Sequence, residues 1–323
     1  MSYAIVATAR NEGPFLLEWL AHHFAIGFDK IIVATNECED GTDQLLDLVS
    51  STFPVTRIDN SVPIDGLTHQ RSAVRRGLMC DAIEGTDWVL HIDLDEFLNI
   101  QAPDPNVHQF MMDFQDYDAV MLCWKLFGDN NRSYWDGGSV LDGFHRCQDD
   151  YRDSAQKAFF RRSVFSDAAP HTPKSPTKPL SDLKIVDTRK ESLPAQRSAS
   201  KRGTGLGLGM DSKTWRGGCI NHYVHKSRDL TRLGLLARGD ANGRVWAKPS
   251  QNKRLVGSIA YNKLNRNDVI DRSIQASRDK RIAILNQLKG IPGVLEAHYA
   301  AQRWFMDMLI ALNEEHGPNG CAS

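Results

Sequence analysis

The stretch Asp87-Trp-Val-Leu-His-Ile-Asp-Leu-Asp-Glu-Phe-Leu98 decides the fold, because an apolar run ends abruptly in three carboxylates, Asp93, Asp95 and Glu96. A strand over residues 88–92 would deliver these side chains to the carboxyl edge of a sheet, where open α/β folds bind ligands. Neighbouring carboxylates repel one another, so a hard cation such as Mg²⁺ or Mn²⁺ is their natural partner. Acidic strand ends also form solvated turns and helix caps, and this stretch alone leaves both interpretations open.

The first 125 residues alternate short apolar runs with amphipathic stretches, a pattern typical of strands joined by crossover helices in a parallel sheet. Predicted strands cover residues 4–8, 30–35, 55–59, 88–92 and 119–124. Helices are predicted to begin at Pro14, after Asp40, and after Thr68, the last running toward Glu84. The predicted fold class is therefore α/β, with a mostly parallel twisted sheet and flanking helices.

The pattern changes after about residue 125. Residues 127–153 are rich in Gly, Asp, Asn and aromatic side chains without a sustained period, which predicts a shaped loop region. A strand is predicted over residues 157–162, and the Pro-, Ser-, Lys- and Gly-rich residues 166–218 predict a flexible loop. Within it, residues 204–209 are no dinucleotide fingerprint, because no strand precedes them and the glycine spacing is wrong. From Asp271 onward the chain is predicted to be helical, with a break at Gly290-Ile-Pro292.

Composition excludes several classes of protein. Lys and Arg total 39 against 40 for Asp and Glu, so no net field attracts nucleic acid or membranes in general. The six cysteines are widely separated without a Cys-x-x-Cys pair, which argues against a zinc knuckle or a dense disulfide framework. No secretory signal or membrane-spanning stretch is recognisable. We expect a cytoplasmic protein without nucleic-acid partners; peripheral membrane association and oligomeric state stay open.

Two further polar segments follow the first two predicted strands. They are Arg10-Asn-Glu12 and the segment from Asn36 to Asp40. Amide and carboxylate groups there suit the hydrogen-bonding edge of a pyrimidine and the hydroxyls of a ribose. Each segment alone could equally cap a helix, and Asp40 before Gly41 is expected to do so. Their position at the same sheet edge as the three carboxylates is what favours a ligand.

An ordered succession of motifs resembles the family-2-like glycosyltransferases of GT-A fold, over roughly residues 3–240. The motifs are Ala7-Thr-Ala-Arg-Asn-Glu12, Asp87-Trp-Val-Leu-His-Ile-Asp-Leu-Asp-Glu-Phe97, Lys157-Ala-Phe-Phe-Arg161, Pro170-His-Thr-Pro173 and Asn221-His-Tyr-Val-His-Lys-Ser227. The resemblance implies a catalytic domain over residues 1–240, with a nucleotide-sugar-binding half (1–125) and an acceptor- and metal-completing half (126–240). Residues 241–323 would form a helical C-terminal extension.

The resemblance also implies roles for individual residues. Asp93 and Asp95 match the Asp-x-Asp motif, and the implied ligands of a divalent cation, Mn²⁺ or Mg²⁺, are Asp93, Asp95 and His222. His225 lies three residues further on, and the sequence leaves open which of the two histidines is the ligand. The donor, expected to be a UDP-sugar, would be bound by Thr8, Arg10, Asn11, Glu12, Asn36, Asp40, Arg71, Asp93, Glu96 and Lys226.

An inverting transfer to a saccharide or glycolipid acceptor needs a carboxylate that deprotonates the attacking hydroxyl. The candidate base is Asp142, with Asp136, Asp149 and Asp150 as rivals. The irregular segment around Phe127-Gly-Asp-Asn-Asn131 departs from the family pattern, so the acceptor pocket is expected to be particular to this protein. Polysaccharide biosynthesis is the process such an enzyme would serve.

Two other classes of function also use acidic residues at a strand end. A nucleotide- or sugar-binding module could keep the fold without turnover, since fold does not imply function. A haloacid-dehalogenase-like phosphotransferase would use an Asp-x-Asp pair as nucleophile and acid. That fold expects the pair on its first strand with Thr or Val two residues after the second aspartate. Here the pair follows the fourth predicted strand and Phe97 occupies that place, which disfavours this class.

Overall fold

A computed structural model describes residues 1–197, 206–208, 213–233 and 256–316. The strands are β1 Tyr3–Ala9, β2 Lys30–Thr35, β3 Val55–Asp59, β4 Trp88–His91, β5 Glu96–Ile100, β6 Ala119–Leu126, β7 Arg146–Cys147, β8 Gln156–Arg161, β9 Phe165–Ala168, β10 Pro173–Pro176, β11 Ile185–Asp187, β12 Ala195–Arg197, β13 Leu206–Leu208, β14 Gly218–His222 and β15 Val269–Ile270. Nine of these strands form the central sheet.

The α-helices are short except at the two ends of the described chain. They are α1 Gly13–Ala25, α2 Thr42–Ser50, α3 His69–Met79, α4 Val107–Met112, α5 Val140–Gly143, α6 Arg228–Leu233, α7 Ile259–Leu264, α8 Arg278–Lys289 and α9 Val294–His316. Among them, α3 begins as predicted, because the Thr68 hydroxyl accepts a hydrogen bond from the backbone N–H of Arg71.

The central sheet is mostly parallel, which confirms the predicted α/β class. Its order is β3-β2-β1-β4-β8-β6-β14-β5, with β11 also paired to β6. Only β8 and β5 run against the other strands of this sheet. The carboxyl ends of β1, β2 and β4 consequently meet at one edge, as the predicted strands required.

The sheet is buried on both faces. Along β1, Ile5 and Val6 point to opposite sides, into two separate apolar clusters. The cluster around Val6 includes Val74 of α3, and Gly77 of the same helix lets the two elements approach closely. A Cβ atom on Gly77 would lie 2.5 Å from a methyl carbon of Val6. Burial on both sides explains why these strands are almost continuously apolar.

The C-terminal helices pack on the N-terminal part of the sheet. Helix α8 lies against α1, and α9 lies against α1, α2 and α6. The predicted break at Gly290-Ile-Pro292 is confirmed, because α8 ends at Lys289 and α9 begins at Val294. Residues 241–255 and 317–323 of the predicted extension lie outside the described residues, and the boundary at residue 240 stays a prediction.

The structure differs from the sequence prediction at three places. Helix α3 ends at Met79 and not near Glu84, because Cys80 is extended and the turn after it buries Ile83. Strand β5, which starts directly after the acidic turn, was not predicted. The predicted flexible loop over residues 166–218 contains the β9–β10 hairpin and β11. Flexibility itself stays a prediction, and residues 204, 205 and 209 lie outside the described part.

The hairpin forms because its apolar residues have a place to pack. Phe165 and Ala168 of β9 are buried in the same cluster as Leu78 of α3. Among the described residues, no helix is long and apolar enough to cross a membrane.

Candidate active site

The turn between β4 and β5 carries the three carboxylates, and the first of them is held by donors from three elements. Asp93 accepts a hydrogen bond from the hydroxyl of Thr8 at the end of β1 (3.0 Å) and from the amide of Gln70 in the first turn of α3 (3.2 Å). The Nζ atom of Lys157 in β8 lies 3.0 Å from its Oδ2. Burial would raise the pKa of Asp93, but Lys157 outweighs it and lowers the pKa to about 2.

Lys157 reaches the turn because β8 runs antiparallel to β4. Phe159 pairs with Leu90, so Lys157, two residues earlier, lies beyond the end of β4 and beside Asp93. Its side chain is fully buried, and Nζ also lies 2.9 Å from Oε2 of Glu96. Burial alone would lower the pKa of Lys157, but the two carboxylates outweigh it and raise the pKa. The lysine therefore remains charged inside the protein.

Glu96 is the most enclosed acid of the turn. Its Oε2 accepts the backbone N–H of Asp93 (2.9 Å) in addition to facing Lys157. Its backbone carbonyl accepts a hydrogen bond from the indole of Trp19 in α1 (2.8 Å). Burial raises the pKa of Glu96 to about 7, against the opposing effect of Lys157. The other carboxylate oxygen, Oε1, is buried with no hydrogen-bonding partner within the described residues.

The remaining acid of the turn, Asp95, faces His222, which lies at the end of β14. Nε2 of His222 lies 3.5 Å from Oδ2 of Asp95, and the backbone N–H of Tyr223 donates to the Asp95 carbonyl (2.8 Å). Antiparallel pairing of β14 with β5 places His222 opposite Glu96. Burial opposes protonation of His222, but the Asp95 carboxylate outweighs it and raises the pKa. The ring nitrogen Nδ1 is buried without a partner in the described chain.

The two candidate histidines have different surroundings. His225 lies beyond the end of β14, where it is buried, contacts the ring of Tyr261 and lies 3.3 Å from the hydroxyl of Thr231. His222 is the histidine that the structure brings to Asp95, and its role as a metal ligand stays a prediction.

An aromatic wall lines the site next to His222. We use this name for Trp124, His171 and His222. The ring of Trp124 at the end of β6 lies 4.3 Å from the ring of His222 and 5.2 Å from that of His171. His171 is exposed, Trp124 is half-buried and His222 is buried, so the wall leads from the surface to Asp95. Sequence reasoning noted His171 but missed Trp124, because an aromatic residue near a strand end usually belongs to the core.

The segments after β1 and β2 contact each other through an ion pair and a hydrogen bond. Arg10 forms an ion pair with Glu37 (3.1 Å), and the side-chain oxygen of Asn11 accepts the backbone N–H of Glu39 (2.7 Å). Asn11 and Glu37 both adopt a positive φ, which marks a specially shaped turn. Asn36 is buried at the end of β2. These residues lie at the predicted edge of the sheet, as a donor-binding role requires.

Asp40 has the structural role that its sequence context suggested. Its carboxylate accepts the backbone N–H of Gly13 at the start of α1 (2.7 Å) and the N–H and hydroxyl of Thr42 at the start of α2. The backbone N–H of Glu12 in turn donates to the Thr42 hydroxyl (3.0 Å). Asp40 thus joins two helix N-termini, and its carboxylate oxygens are used within the protein.

The remaining predicted donor-binding residues contact protein groups. Arg71 forms an ion pair with Asp167 of β9 (3.0 Å), which also pairs with Arg75 (2.9 Å). Lys226 is buried, with its ammonium 4.5 Å from the ring centre of Phe15. Arg71 follows Gln70 in the helix and so lies near the acidic turn, whereas the observed contact of Lys226 is with α1.

Asp142 lies on α5, and its carboxylate contacts helix α8. Oδ1 is 2.6 Å from Arg281, and Oδ2 is 3.2 Å from Arg278. The rival bases are also paired: Asp136 with Arg132, and both Asp149 and Asp150 with Arg266. The structure therefore brings Asp93, Asp95, Glu96 and His222 together, whereas each of the four candidate bases forms an ion pair with an arginine.

The residues present fit a divalent cation only in part. Across the described chain, no three His, Cys, Asp or Glu side chains form a ready-made metal site. Asp93 is already neutralised by Lys157, whereas Asp95 and His222 offer one oxygen and one nitrogen ligand at a partly open position. The unpartnered Nδ1 atom shows that the His222 ring is not fixed by a second hydrogen bond. Asp95 and His222 could bind a divalent cation firmly only if a bound molecule supplies the other ligands of that cation.

Comparison with known proteins finds similarity to glycosyltransferases over part of the chain. No protein-family model matches. Glycosyltransferase family 92 proteins of Oryza sativa subsp. japonica and Ricinus communis are each 30% identical to it, over 99 and 98 residues. Those stretches cover 30% of this chain but only 16% and 17% of the plant proteins. The similarity is therefore confined to a minor part of each relative.

Solved structures give distant matches. TarS of S. aureus matches with a TM-score of 0.36 and 13% identity, over 97% of this chain and 90% of that chain. Glucosyl-3-phosphoglycerate synthase of Mycobacterium tuberculosis, crystallised with Mn²⁺, UDP and glucosyl-3-phosphoglycerate, matches with a TM-score of 0.24 and 18% identity, over 44% of this chain and 46% of that chain. At these TM-scores we infer nothing about activity from the superpositions.

Proposed function

We propose that this protein is a glycosyltransferase that moves a sugar from a nucleotide-diphosphate donor to a saccharide-type acceptor. The observation that carries the proposal is the acidic turn at the carboxyl edge of the parallel sheet, where Asp93 and Asp95 meet Thr8 of β1 and His222 of β14. Ligands of α/β sheets bind at this edge. The stretch shared with family 92 glycosyltransferases supports the same class.

The chemistry of the transfer explains the charges. A departing nucleoside diphosphate develops negative charge, which preorganised positive groups stabilise. A divalent cation would supply Lewis-acid stabilisation of that charge, and Asp95 and His222 would hold it. Because one of the two ligands is an imidazole, Mn²⁺ suits the pair better than Mg²⁺, which prefers oxygen.

We propose donor contacts at the ends of β1 and β2. Arg10 and Asn11 are held in a shaped turn with Glu37, and Asn36 lies beside them; such groups fit the base and ribose of a UDP-sugar. Glu96 would act indirectly, since its carboxylate faces Lys157 inside the protein.

Inversion at the anomeric carbon would need a base near the acceptor hydroxyl. We keep Asp142 as the candidate, with a specific requirement: its carboxylate must leave Arg278 and Arg281 of α8 to reach an acceptor. A movement of α5 relative to α8 is therefore part of this proposal.

We infer a cytoplasmic location and an acceptor that is a saccharide or glycolipid, in the synthesis of a polysaccharide. Five cysteines in the described residues are free thiols: Cys38, Cys80, Cys123, Cys147 and Cys219. Free thiols are typical of a reducing compartment. Cys321 lies outside the described residues.

A thermal-unfolding screen of nucleotide diphosphates, with and without Mn²⁺, tests the proposal. A donor nucleotide at one hundred times its Kd should stabilise the folded protein by about 2.7 kcal/mol. Asp95→Asn should abolish the Mn²⁺-dependent part of the shift, whereas the control Asp116→Asn, at an exposed position, should leave it unchanged. If no common nucleotide diphosphate stabilises the protein with Mn²⁺ present, the proposal fails.

A binding module without turnover is the second candidate, favoured by the occupied carboxylate of Asp142. The two functions differ in one measurement. A transferase releases the nucleotide diphosphate from its donor sugar in the presence of acceptor or water, whereas a binding module is stabilised by the donor and releases none.

A further inference from the structure

The acidic turn already contains a cation of its own. Lys157 is fully buried, and its ammonium lies 3.0 Å from the carboxylate of Asp93 and 2.9 Å from that of Glu96. Charged lysines are rarely buried completely unless they are paired. The two short contacts supply that pairing, so the ammonium of Lys157 is the counter-charge of two of the three acids.

The fold holds the ammonium in place. Lys157 lies within β8, which is hydrogen-bonded on one side to β4 and on the other to β6. The ring of Trp124 is 5.9 Å from Nζ. The Lys157 side chain has no exposed surface, and close packing in the interior restricts its movement. Lys157 therefore acts as a fixed charge and differs from a surface lysine that can swing away.

This fixed charge decides where a second cation can sit. Asp93 also accepts hydrogen bonds from Thr8 and Gln70, which uses the oxygen that does not face Lys157. A divalent ion placed between Asp93 and Glu96 would meet the ammonium at close range, where like charges repel strongly. The ligands that remain for a divalent ion are Asp95 and His222, together with the buried Oε1 atom of Glu96, which has no hydrogen-bonding partner in the described residues.

We infer that Lys157 is a positioning residue that takes the place of a metal ion between Asp93 and Glu96. The protein alone should then bind a divalent cation only weakly, and the cation should enter with the nucleotide diphosphate, whose oxygens complete its coordination. The part about the nucleotide rests on the proposed function. The weak binding by the protein alone rests only on the geometry of Lys157.

Mn²⁺ binding without nucleotide, measured by the electron paramagnetic resonance signal of free Mn²⁺, tests the inference. The comparison is between Glu96→Gln and the double variant Glu96→Gln with Lys157→Met. Both lack the Glu96 charge and differ only in the ammonium. A third variant, Lys125→Met, removes a partly buried lysine that pairs with Asp271 and not with the turn. Circular dichroism establishes that each protein is folded.

The double variant should bind Mn²⁺ at least about tenfold more tightly than Glu96→Gln, because Asp93 becomes a ligand and the repelling charge is gone. Lys125→Met should bind like the wild type. Equal affinity of the double variant and Glu96→Gln overturns the inference.

The wild type gives a separate test if the double variant does not fold. A wild-type site for Mn²⁺ tighter than about 10 µM without nucleotide also overturns it, since metal affinity follows the number of available charged ligands. No nucleotide enters either measurement, so failure of the glycosyltransferase proposal would leave the result unaffected.

Discussion

Acid should unfold this protein through four buried histidines. His22, His23, His91 and His298 are all less than a tenth exposed. Burial lowers the pKa of His22 to about 3 and the pKa values of His91 and His298 to about 4, and it lowers the pKa of His23 well below its ordinary value. In the unfolded chain each ring takes up a proton below its ordinary pKa of 6.5. Because the folded pKa values are depressed, stability is lost as the pH falls from 6.5 toward 4.

The magnitude follows from the shifts. At 1.36 kcal/mol per pH unit, lowering the pH from 6.5 to 5 costs about 2 kcal/mol for each histidine that stays neutral when folded, or about 8 kcal/mol for four. Glu96 and His222 have the opposite effect on stability. Their pKa values are raised in the folded protein, so their protonation at lower pH stabilises the fold. The net loss is therefore smaller than this sum, on the order of several kcal/mol, which is comparable to the whole stability of many domains.

Urea unfolding followed by circular dichroism at pH 7 and pH 5 measures this loss. His298→Leu should reduce the loss by about 2 kcal/mol, because one titrating ring is removed. The matched control is His108→Leu, at a side chain that is 44% exposed, which should change the loss by much less, because exposed contacts contribute little. A wild-type free energy of unfolding that is the same at both pH values would refute the reasoning.

Three substitutions give further tests. Trp19→Phe removes the donor to the buried carbonyl of Glu96 and should lower the free energy of unfolding by about 2 kcal/mol in urea titration; a change below the experimental error would contradict the contact. Thr8→Val removes one hydrogen bond to Asp93 and should cost about 1 kcal/mol in the same assay, whereas an increase in stability would argue against that bond. Asp142→Asn weakens a partly exposed contact with α8 and should cost about 1 kcal/mol. If Asp142 is the base, turnover with an identified donor and acceptor should also fall at least about 100-fold; unchanged turnover would remove it from catalysis.

The parallel half of the sheet was predictable because its signals are local. The strands 30–35 and 55–59 were predicted with the bounds that the structure has, since short apolar runs there end at clear polar residues. The position of Asp93 at the sheet edge follows directly from the end of β4. Such features depend on a few neighbouring residues and on the general geometry of parallel sheets.

The role of Lys157 could not be read from its neighbours. The strand around it was predicted, but its direction was not, and only an antiparallel β8 brings the lysine to the end of β4. Direction depends on whether residues 127–153 return the chain at the same edge of the sheet, as they do here, or cross to the other edge, and this segment has no sequence period to reveal it. One signal was present: three carboxylates at a buried strand end require a counter-charge, and a lysine heading the apolar run Ala158-Phe-Phe160 is a plausible source.

Strand β5 was missed because no Gly or Pro separates it from the acidic turn. β5 is the last strand in the order of the sheet, and the backbone groups on its outer edge contact side chains of α1 and not another strand. The Trp19 indole donates to the carbonyl of Glu96, His22 lies 2.8 Å from the carbonyl of Leu98, and His23 accepts the Leu98 N–H. The prediction of a helix beginning at Pro14 did not reveal these contacts. It could not distinguish apolar packing from hydrogen bonding to a strand edge.

The contacts within the acidic turn determine which substitution would change ligand binding without changing the stability of the protein. Asp93, Glu96 and Lys157 form one buried network, so removing any of them changes the stability of the turn as well as its charge. Asp95 instead faces His222 at a partly exposed position. A loss of Mn²⁺-dependent nucleotide binding in Asp95→Asn, with the urea midpoint retained, therefore reports on the ligand site itself. The same loss in Asp93→Asn would report on the network.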